Sequence, residues 1–186
     1  MNELEKLKKW DKWYFDVCNV VASNSKCLSR KIGAILVRDK AIVSQGYCGP
    51  PRGVRPCDER WRTDKKMREA VDFDAFTEDF FVMHLKGVCP RYIPEMGFKS
   101  GEGLEWCVSG HAERNALINA ARFGIKTKGT IMYMSCAIPC TPCLVEIVNA
   151  GVEEIVVMDE TYYDVSAKYL LKESGLKWRI FSHLKQ

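Results

Sequence analysis

From residue 4 to 22, LEKLKKWDKWYFDVCNVVA sets Leu4, Leu7, Trp10, Tyr14, Cys18 and Val21 at intervals of three and four. That spacing gathers apolar groups into one stripe of an α-helix. The next apolar runs are short and β-rich, KIGAILV (31–37) and AIVSQGYC (41–48), and the RDK between them predicts an antiparallel hairpin. GPPRGVRPC (49–57) reads as loop from its glycines and prolines. A mixed-charge helix is predicted over about 61–85, after which the periodicity fails. GVCPRYIPEMGFKSGEGLEWCVSG (87–110) is rich in turn residues, and so long an irregular stretch in a compact domain is usually functional or held by something. From His111 onward the order returns. HAERNALINAARFG (111–124) is helical, with Gly124 as its stop, followed by strand (130–136), helix (140–151), strand (153–159), helix (166–175) and strand (177–182). Strands alternating with helices predict an α/β sheet covered on both faces, its last strands parallel.

Composition narrows this pattern. The 186 residues fit one domain over 1–186, with 58–110 as an irregular insert. No apolar stretch reaches the roughly 18 residues of a membrane span. The opening MNELEKLKKWDKW is too charged for a signal peptide, so a cytoplasmic setting without membrane contact is expected. The net charge of +4 comes from Lys and Arg scattered among acids, as in DERWRTDKKMREAVDFD. No basic stripe suggests a dedicated nucleic-acid binder. Nine cysteines are an odd number and argue against a disulfide framework, leaving metal ligation, catalysis or burial to account for them.

Cys140 and Cys143, in PCTPC, stand at i and i+3 at a helix start and share a face. The positive end of the helix dipole favours thiolates there. Alone, a C-x-x-C also fits two buried thiols or a redox pair. His84, His111 and His183 are the only histidines, and His111 opens the preceding helix. If adjacent strands aim both helix starts at one sheet edge, His111, Cys140 and Cys143 converge as three ligands with a fourth position open, the arrangement of catalytic zinc. Glu113 by itself fits dipole complementation in a first helical turn. With the three ligands it completes H-x-E…P-C-x-x-C, the signature of zinc-dependent nucleobase deaminases. In that chemistry the metal makes hydroxide available near neutral pH, and the glutamate carries protons from water to the ring nitrogen and the departing ammonia.

The run WDKWYF…SKC…KIGAILVRDKAIVSQGYCGPPRG…SGEGLEWC…HAERNALINAA…PCTPC…ETYYD resembles deoxycytidylate (dCMP) deaminases of the bacterial and phage branch, over about residues 10–182. The resemblance implies a three-layer α/β/α fold with a five-stranded mixed sheet, and hydrolysis of dCMP to dUMP for thymidylate supply. It also implies a homohexamer activated by dCTP and inhibited by dTTP with Mg²⁺. Phage-type relatives carry a second, structural zinc, which here implies Cys27, Cys57, Cys89 and Cys107 as ligands stapling the insert. That leaves Cys18 and Cys136 as ordinary core. The substrate set implied is Cys48, Ala112, Arg114, Tyr162 and Asp164, with Arg52 and Arg55 as phosphate or effector contacts. Arg122 looks more like an interface residue, and Tyr163 like core or surface. One departure stands out: the family loop reads GYNG, and here it reads Gly46-Tyr47-Cys48-Gly49. A thiol is a poorer hydrogen-bonding partner than an amide, so dCTP or a 5-modified dCMP is the alternative substrate. A deaminase of tRNA or single-stranded nucleic acid, a riboflavin-pathway deaminase and a silent zinc scaffold are the rival readings.

Overall fold

The computed structural model describes residues 2–70, 87–92, 98 and 102–184. Helix α1 (Glu3–Ser23) starts from a capping box. Asn2 accepts from the Glu5 amide and Glu5 from the Asn2 amide, both at 2.8 Å, which satisfies two end donors reciprocally. Strands β1 (Gly33–Arg38) and β2 (Ala41–Tyr47) form the expected hairpin. Its two-residue turn, Asp39-Lys40, takes φ of 51° and 63°, the left-handed pair that a tight hairpin with right-handed twist requires. Helix α4 (Ala112–Arg122), β3 (Ile131–Met134), α5 (Thr141–Asn149), β4 (Glu154–Val157), α6 (Val165–Ser174) and β5 (Lys177–Ile180) follow in the alternation the sequence predicts. Among the described residues no helix is long and apolar enough to cross a membrane.

The sheet order is β2-β1-β3-β4-β5, with β1 antiparallel to both neighbours and β3, β4 and β5 parallel. Successive side chains alternate between faces. Ile35, Val37, Tyr133 and Val156 therefore join Tyr14, Cys18 and Val21 of α1 and Phe181 in one core. Leu36, Met132, Met134, Ile155 and Val157 are buried on the opposite face. The two crossovers joining parallel β3, β4 and β5 run in the same direction and put α5 and α6 beside α4 on that second face, where α4 lies against β2. This is the three-layer α/β/α arrangement. Close helix approach is allowed by two glycines. A Cβ on Gly33 would stand 2.1 Å from Cys18 O, and one on Gly46 2.2 Å from Ala116 N. Cys18 is core as expected: burial pushes its thiol up to about 12, and the S–H donates to Tyr133 O. Cys136 follows β3 and is only partly buried, because the strand has already ended.

Two further groups of hydrogen bonds fix the sheet unit. Buried Asp11 of α1 receives both Arg179 Nη atoms of β5, at 2.6 and 3.0 Å, and the Ser182 amide at 2.6 Å. On the free edge of β2, Asn115 and Asn119 of α4 donate to the Tyr47 and Gln45 carbonyls at 2.8 and 2.7 Å.

Contacts group the chain into two compact units. One comprises 1–25, 32–48 and 111–186 and holds the sheet; the other comprises 26–31 and 49–110. In the second unit the predicted helix over 61–85 differs. Helix α2 runs Cys57–Thr63, starting within the expected loop, and α3 runs Lys65–Ala70. Between them Asp64 is extended, φ −88° and ψ 109°. Its carboxylate accepts from the Lys66 and Met67 amides, so it caps α3 rather than continuing α2. The remainder of that prediction, with His84, lies outside the described residues. Trp61 and Met67 are fully buried, and Trp61 donates to Val88 O at 3.3 Å. Short 3₁₀ turns occupy Pro90–Tyr92 and Leu104–Trp106.

Candidate metal centre

His111 is the N-cap of α4 and Cys140 the N-cap of α5, both in extended conformation. Cys143 sits in the first turn of α5, three residues on. Because α4 and α5 pack side by side in the sheet unit, the three side chains at their starts meet. His111 Nδ1 lies 3.4 Å from Cys140 Sγ and 3.3 Å from Cys143 Sγ. Ligands of a tetrahedral zinc, with Zn–S of about 2.3 Å and Zn–N of about 2.0 Å, stand roughly 3.5 Å apart. The donor set and its spacing therefore fit zinc. Among the described residues this is the His, Cys and carboxylate group whose donor atoms all fall within 4.8 Å of one another.

The electrostatics suit a cation. Cys140 is held down to about 4, first by the hydrogen bond from Cys143 and, against its burial, by His111 and the Cys143 amide. Cys143 is pushed up by the same shared bond and by burial. The hydrogen bond to Cys140 raises His111, with Glu113 adding to it against burial. Glu113, in the first turn of α4, is 4% exposed, and burial pushes its carboxyl up. A three-donor cluster beside a buried carboxyl can activate a nucleophile and hold a proton for transfer.

Neighbouring residues take defined places. Ala112 is fully buried at the start of α4, and its carbonyl lies against Gly46. Arg114 makes a two-point pair with Glu146 of α5, Nε–Oε2 3.0 Å and Nη2–Oε1 2.8 Å, joining the two ligand-bearing helices. Asp164 caps α6 by accepting from the Ala167 amide at 2.8 Å, and also accepts from the Thr141 amide at 2.9 Å and the Thr141 hydroxyl. Tyr162 is half-buried with Lys168 Nζ 5.9 Å from its ring, while Tyr163 is exposed. Cys48 follows β2, 6% exposed; its amide donates to Ile32 O and its carbonyl accepts from Ser25 Oγ. Glu146 and Thr141 escaped the sequence reading, since their partners lie 32 and 23 residues away and nothing local signals either pair.

The second unit holds the other residues singled out. Arg52 and Arg55 are exposed on the 49–56 loop. Cys57 opens α2, Cys89 precedes one 3₁₀ turn, Cys107 follows the other, and Cys27 lies in the 26–31 segment. Cys57 and Cys89 are buried, and burial raises both thiols. Each is raised further by nearby cysteines, Cys57 by Cys89 and Cys107, Cys89 by Cys27 and Cys107. Cys57, Cys89 and Cys107 thus lie near one another and Cys27 near Cys89, but the four are not gathered within the 4.8 Å that encloses the His111 cluster.

Residues 8–159 match the family described as the cytidine and deoxycytidylate deaminase zinc-binding region. The chain is similar to the deoxycytidylate deaminase of Enterobacteria phage T2, 31% identical over 153 residues, covering 78% of this chain and 77% of that protein. It is also similar to the deoxycytidylate deaminase of Schizosaccharomyces pombe, 28% identical over 170 residues, covering 91% of this chain and 43% of that protein. The chain thus spans less than half the length of the yeast relative. The solved dCMP deaminase of cyanophage S-TIM5, in complex with dCMP and dUMP, shares the fold with a TM-score of 0.60 at 20% identity, over 97% of this chain and 98% of that one. With His111, Glu113, Cys140 and Cys143 gathered at two helix starts, and the matched region running through all four, the chain belongs to the zinc-binding cytidine and deoxycytidylate deaminase family.

Proposed function

We propose that this chain hydrolyses dCMP, with water, to dUMP and ammonia. The observation that carries the reading is the buried Glu113 two residues beyond His111, beside a three-donor cluster that leaves one coordination position for chemistry. The resemblance to the phage T2 deoxycytidylate deaminase supports the substrate. His111, Cys140 and Cys143 would hold zinc, which when bound would supply the acidity that makes water nucleophilic near neutral pH. Glu113 takes the proton of the attacking water on one carboxylate oxygen, passes it to the ring N3, and later delivers a proton to the amino group leaving C4. The proton count balances: the C4–N bond breaks, the water oxygen becomes the C4 carbonyl, one of its hydrogens ends on N3 and the other on the departing ammonia.

The test is ammonia release by zinc-loaded protein from dCMP, dCTP, CMP and 5-substituted dCMP. Glu113→Gln should retain its zinc while turnover drops by about 10²–10⁴-fold; undiminished turnover would refute the assignment. Cys48 gives a second reading its footing, since a buried thiol stands in the loop position where an amide is expected. Reaction of dCTP or a 5-modified nucleotide with dCMP inert would establish that reading.

The same reading extends to regulation and assembly. dCTP activates and dTTP with Mg²⁺ inhibits a homohexamer, which the assay with each effector and light scattering will check. A structural zinc on Cys27, Cys57, Cys89 and Cys107 completes it, drawing Cys27, which lies near Cys89, together with the neighbouring thiols of Cys57, Cys89 and Cys107.

A further inference from the structure

The N-terminus of α5 has few backbone donors, and those of Thr141, Cys143 and Leu144 have definite partners. The first four N–H groups of a helix lack intrahelical acceptors. Pro142 in the first turn removes one of them altogether. The Cys143 amide donates to the Cys140 sulfur, and the Leu144 amide closes the first helical bond to Cys140 O at 3.0 Å. The Thr141 amide, lying between the two cysteine ligands in sequence, donates instead to Asp164 Oδ2 at 2.9 Å, and the Thr141 hydroxyl donates to Oδ1 of the same carboxylate. Asp164 Oδ1 also accepts from the Ala167 amide at 2.8 Å. One carboxylate therefore pins the cysteine-bearing turn of α5 to the start of α6. It carries a negative charge at ordinary pH: burial raises its pKa, but the Thr141 and Ala167 bonds outweigh this and lower it.

From this geometry we infer that Asp164 is a positioning residue for the metal: through Thr141 it fixes the backbone between Cys140 and Cys143 and so holds both sulfurs at coordination spacing. This rests on the reading of His111, Cys140 and Cys143 as zinc ligands. With Pro142 contributing no amide to this turn, the two Asp164 bonds to Thr141 tie it to the start of α6 and resist its rotation about Cys140. Groups that orient ligands from behind commonly govern metal affinity by about 10–100-fold. Asp164 has no need to touch the substrate for this role.

The test reads metal, not turnover. Wild type, Asp164→Asn, Asp164→Ala and Thr141→Val are loaded with zinc, and release to a chromophoric chelator is timed well below the melting temperature. Each is also loaded with Co²⁺, whose thiolate charge-transfer bands report the ligand geometry. Asn retains one acceptor, enough to keep capping α6, but cannot accept from Thr141 at the second oxygen. Asp164→Asn is therefore expected to release metal about 10-fold faster and to shift the Co²⁺ bands, with metal-free melting near wild type. Asp164→Ala should release still faster and also melt lower, through the lost cap. Thr141→Val, which keeps the amide bond, should show a smaller acceleration. Release rates and bands equal to wild type in Asp164→Asn and Thr141→Val would overturn the inference, even if melting fell, because a merely structural cap predicts that result. Cys140→Ser serves as the reference. If it holds as much zinc as wild type, the metal reading itself fails and the positioning role fails with it, an outcome distinct from unchanged rates on a metal that Cys140 does bind.

Discussion

Two sets of cysteines in this chain invite comparison. Cys140 and Cys143 stand on a helix start, with His111 on another, and their donor atoms lie within 4.8 Å. Cys27, Cys57, Cys89 and Cys107 come from a loop, a short helix and the flanks of two 3₁₀ turns, and are not gathered so closely. The difference is one of backbone support. Helix ends anchored on a hydrogen-bonded sheet have few soft torsions, so donors placed there arrive at their spacing through the fold. Donors on irregular segments carry the conformational freedom of those segments, and ordering them is work that a bound ion can do.

The largest effects should separate the two sets. Cys143→Ala is expected to remove one zinc equivalent and essentially all turnover while the protein stays folded. Cys57→Ser should remove a different equivalent, leave the Co²⁺ bands of the His111 centre intact and open residues 49–110 to proteolysis. Metal analysis of both single variants and the double checks this. If Cys57→Ser keeps its full zinc complement, the four thiols are simply buried neighbours and the contrast dissolves.

A smaller effect tests whether the sheet delivers the ligands. A Cβ on Gly46 would meet backbone atoms of α4, Ala116 N at 2.2 Å and Ala112 O at 2.4 Å, so α4 must move, at a cost of about 1–3 kcal/mol. Since Ala112 adjoins His111, Gly46→Ala should weaken metal retention as well as stability. Gly33→Ala, equally crowded against Cys18 O on the opposite face, should lower stability but spare the metal. Equal metal loss in both would mean that the spacing reflects overall stability instead of α4 placement.

The smallest effect is graded in pH. Burial raises the Asp11 carboxyl, but bonds from Arg179 and Ser182 outweigh it and hold it below its ordinary value of 3.8. A carboxylate with a lowered folded pKa stabilises the fold above the unfolded value, and that contribution is lost as pH falls through the folded one. Melting temperature should therefore decline below about pH 4, and Asp11→Asn, already less stable at neutral pH, should flatten that decline. The same acid limb in chelator-treated protein would mark the sheet unit as held independently of metal.

Much of this was legible in the sequence because its signals are local. Short β-rich runs and apolar spacing of three and four residues mark the five strands and the helices after His111, and the motif marks His111, Glu113, Cys140 and Cys143. Asp64 was missed as a break because a mixed-charge helix tolerates Asp in its interior, and only its bonds to the Lys66 and Met67 amides reveal a cap. The Arg114–Glu146 and Asp164–Thr141 pairs join residues far apart in sequence, and no periodicity encodes which side chains meet across two helices. Arg114 and Asp164, drawn toward substrate by resemblance, have protein partners in the structure, Glu146 and Thr141.

The edge of β2 carries a consequence for how copies of this chain associate. Its amide at Cys48 turns inward to Ile32 O, so alternation leaves the Tyr47 and Gln45 carbonyls facing away from the sheet, where Asn115 and Asn119 already donate to them. An exposed strand edge is a template for runaway polymerisation. Here a peptide or second copy aligning along β2 must first displace two side-chain amides, and the helix that brings His111 to the metal centre thereby guards its own sheet against fibre-like growth.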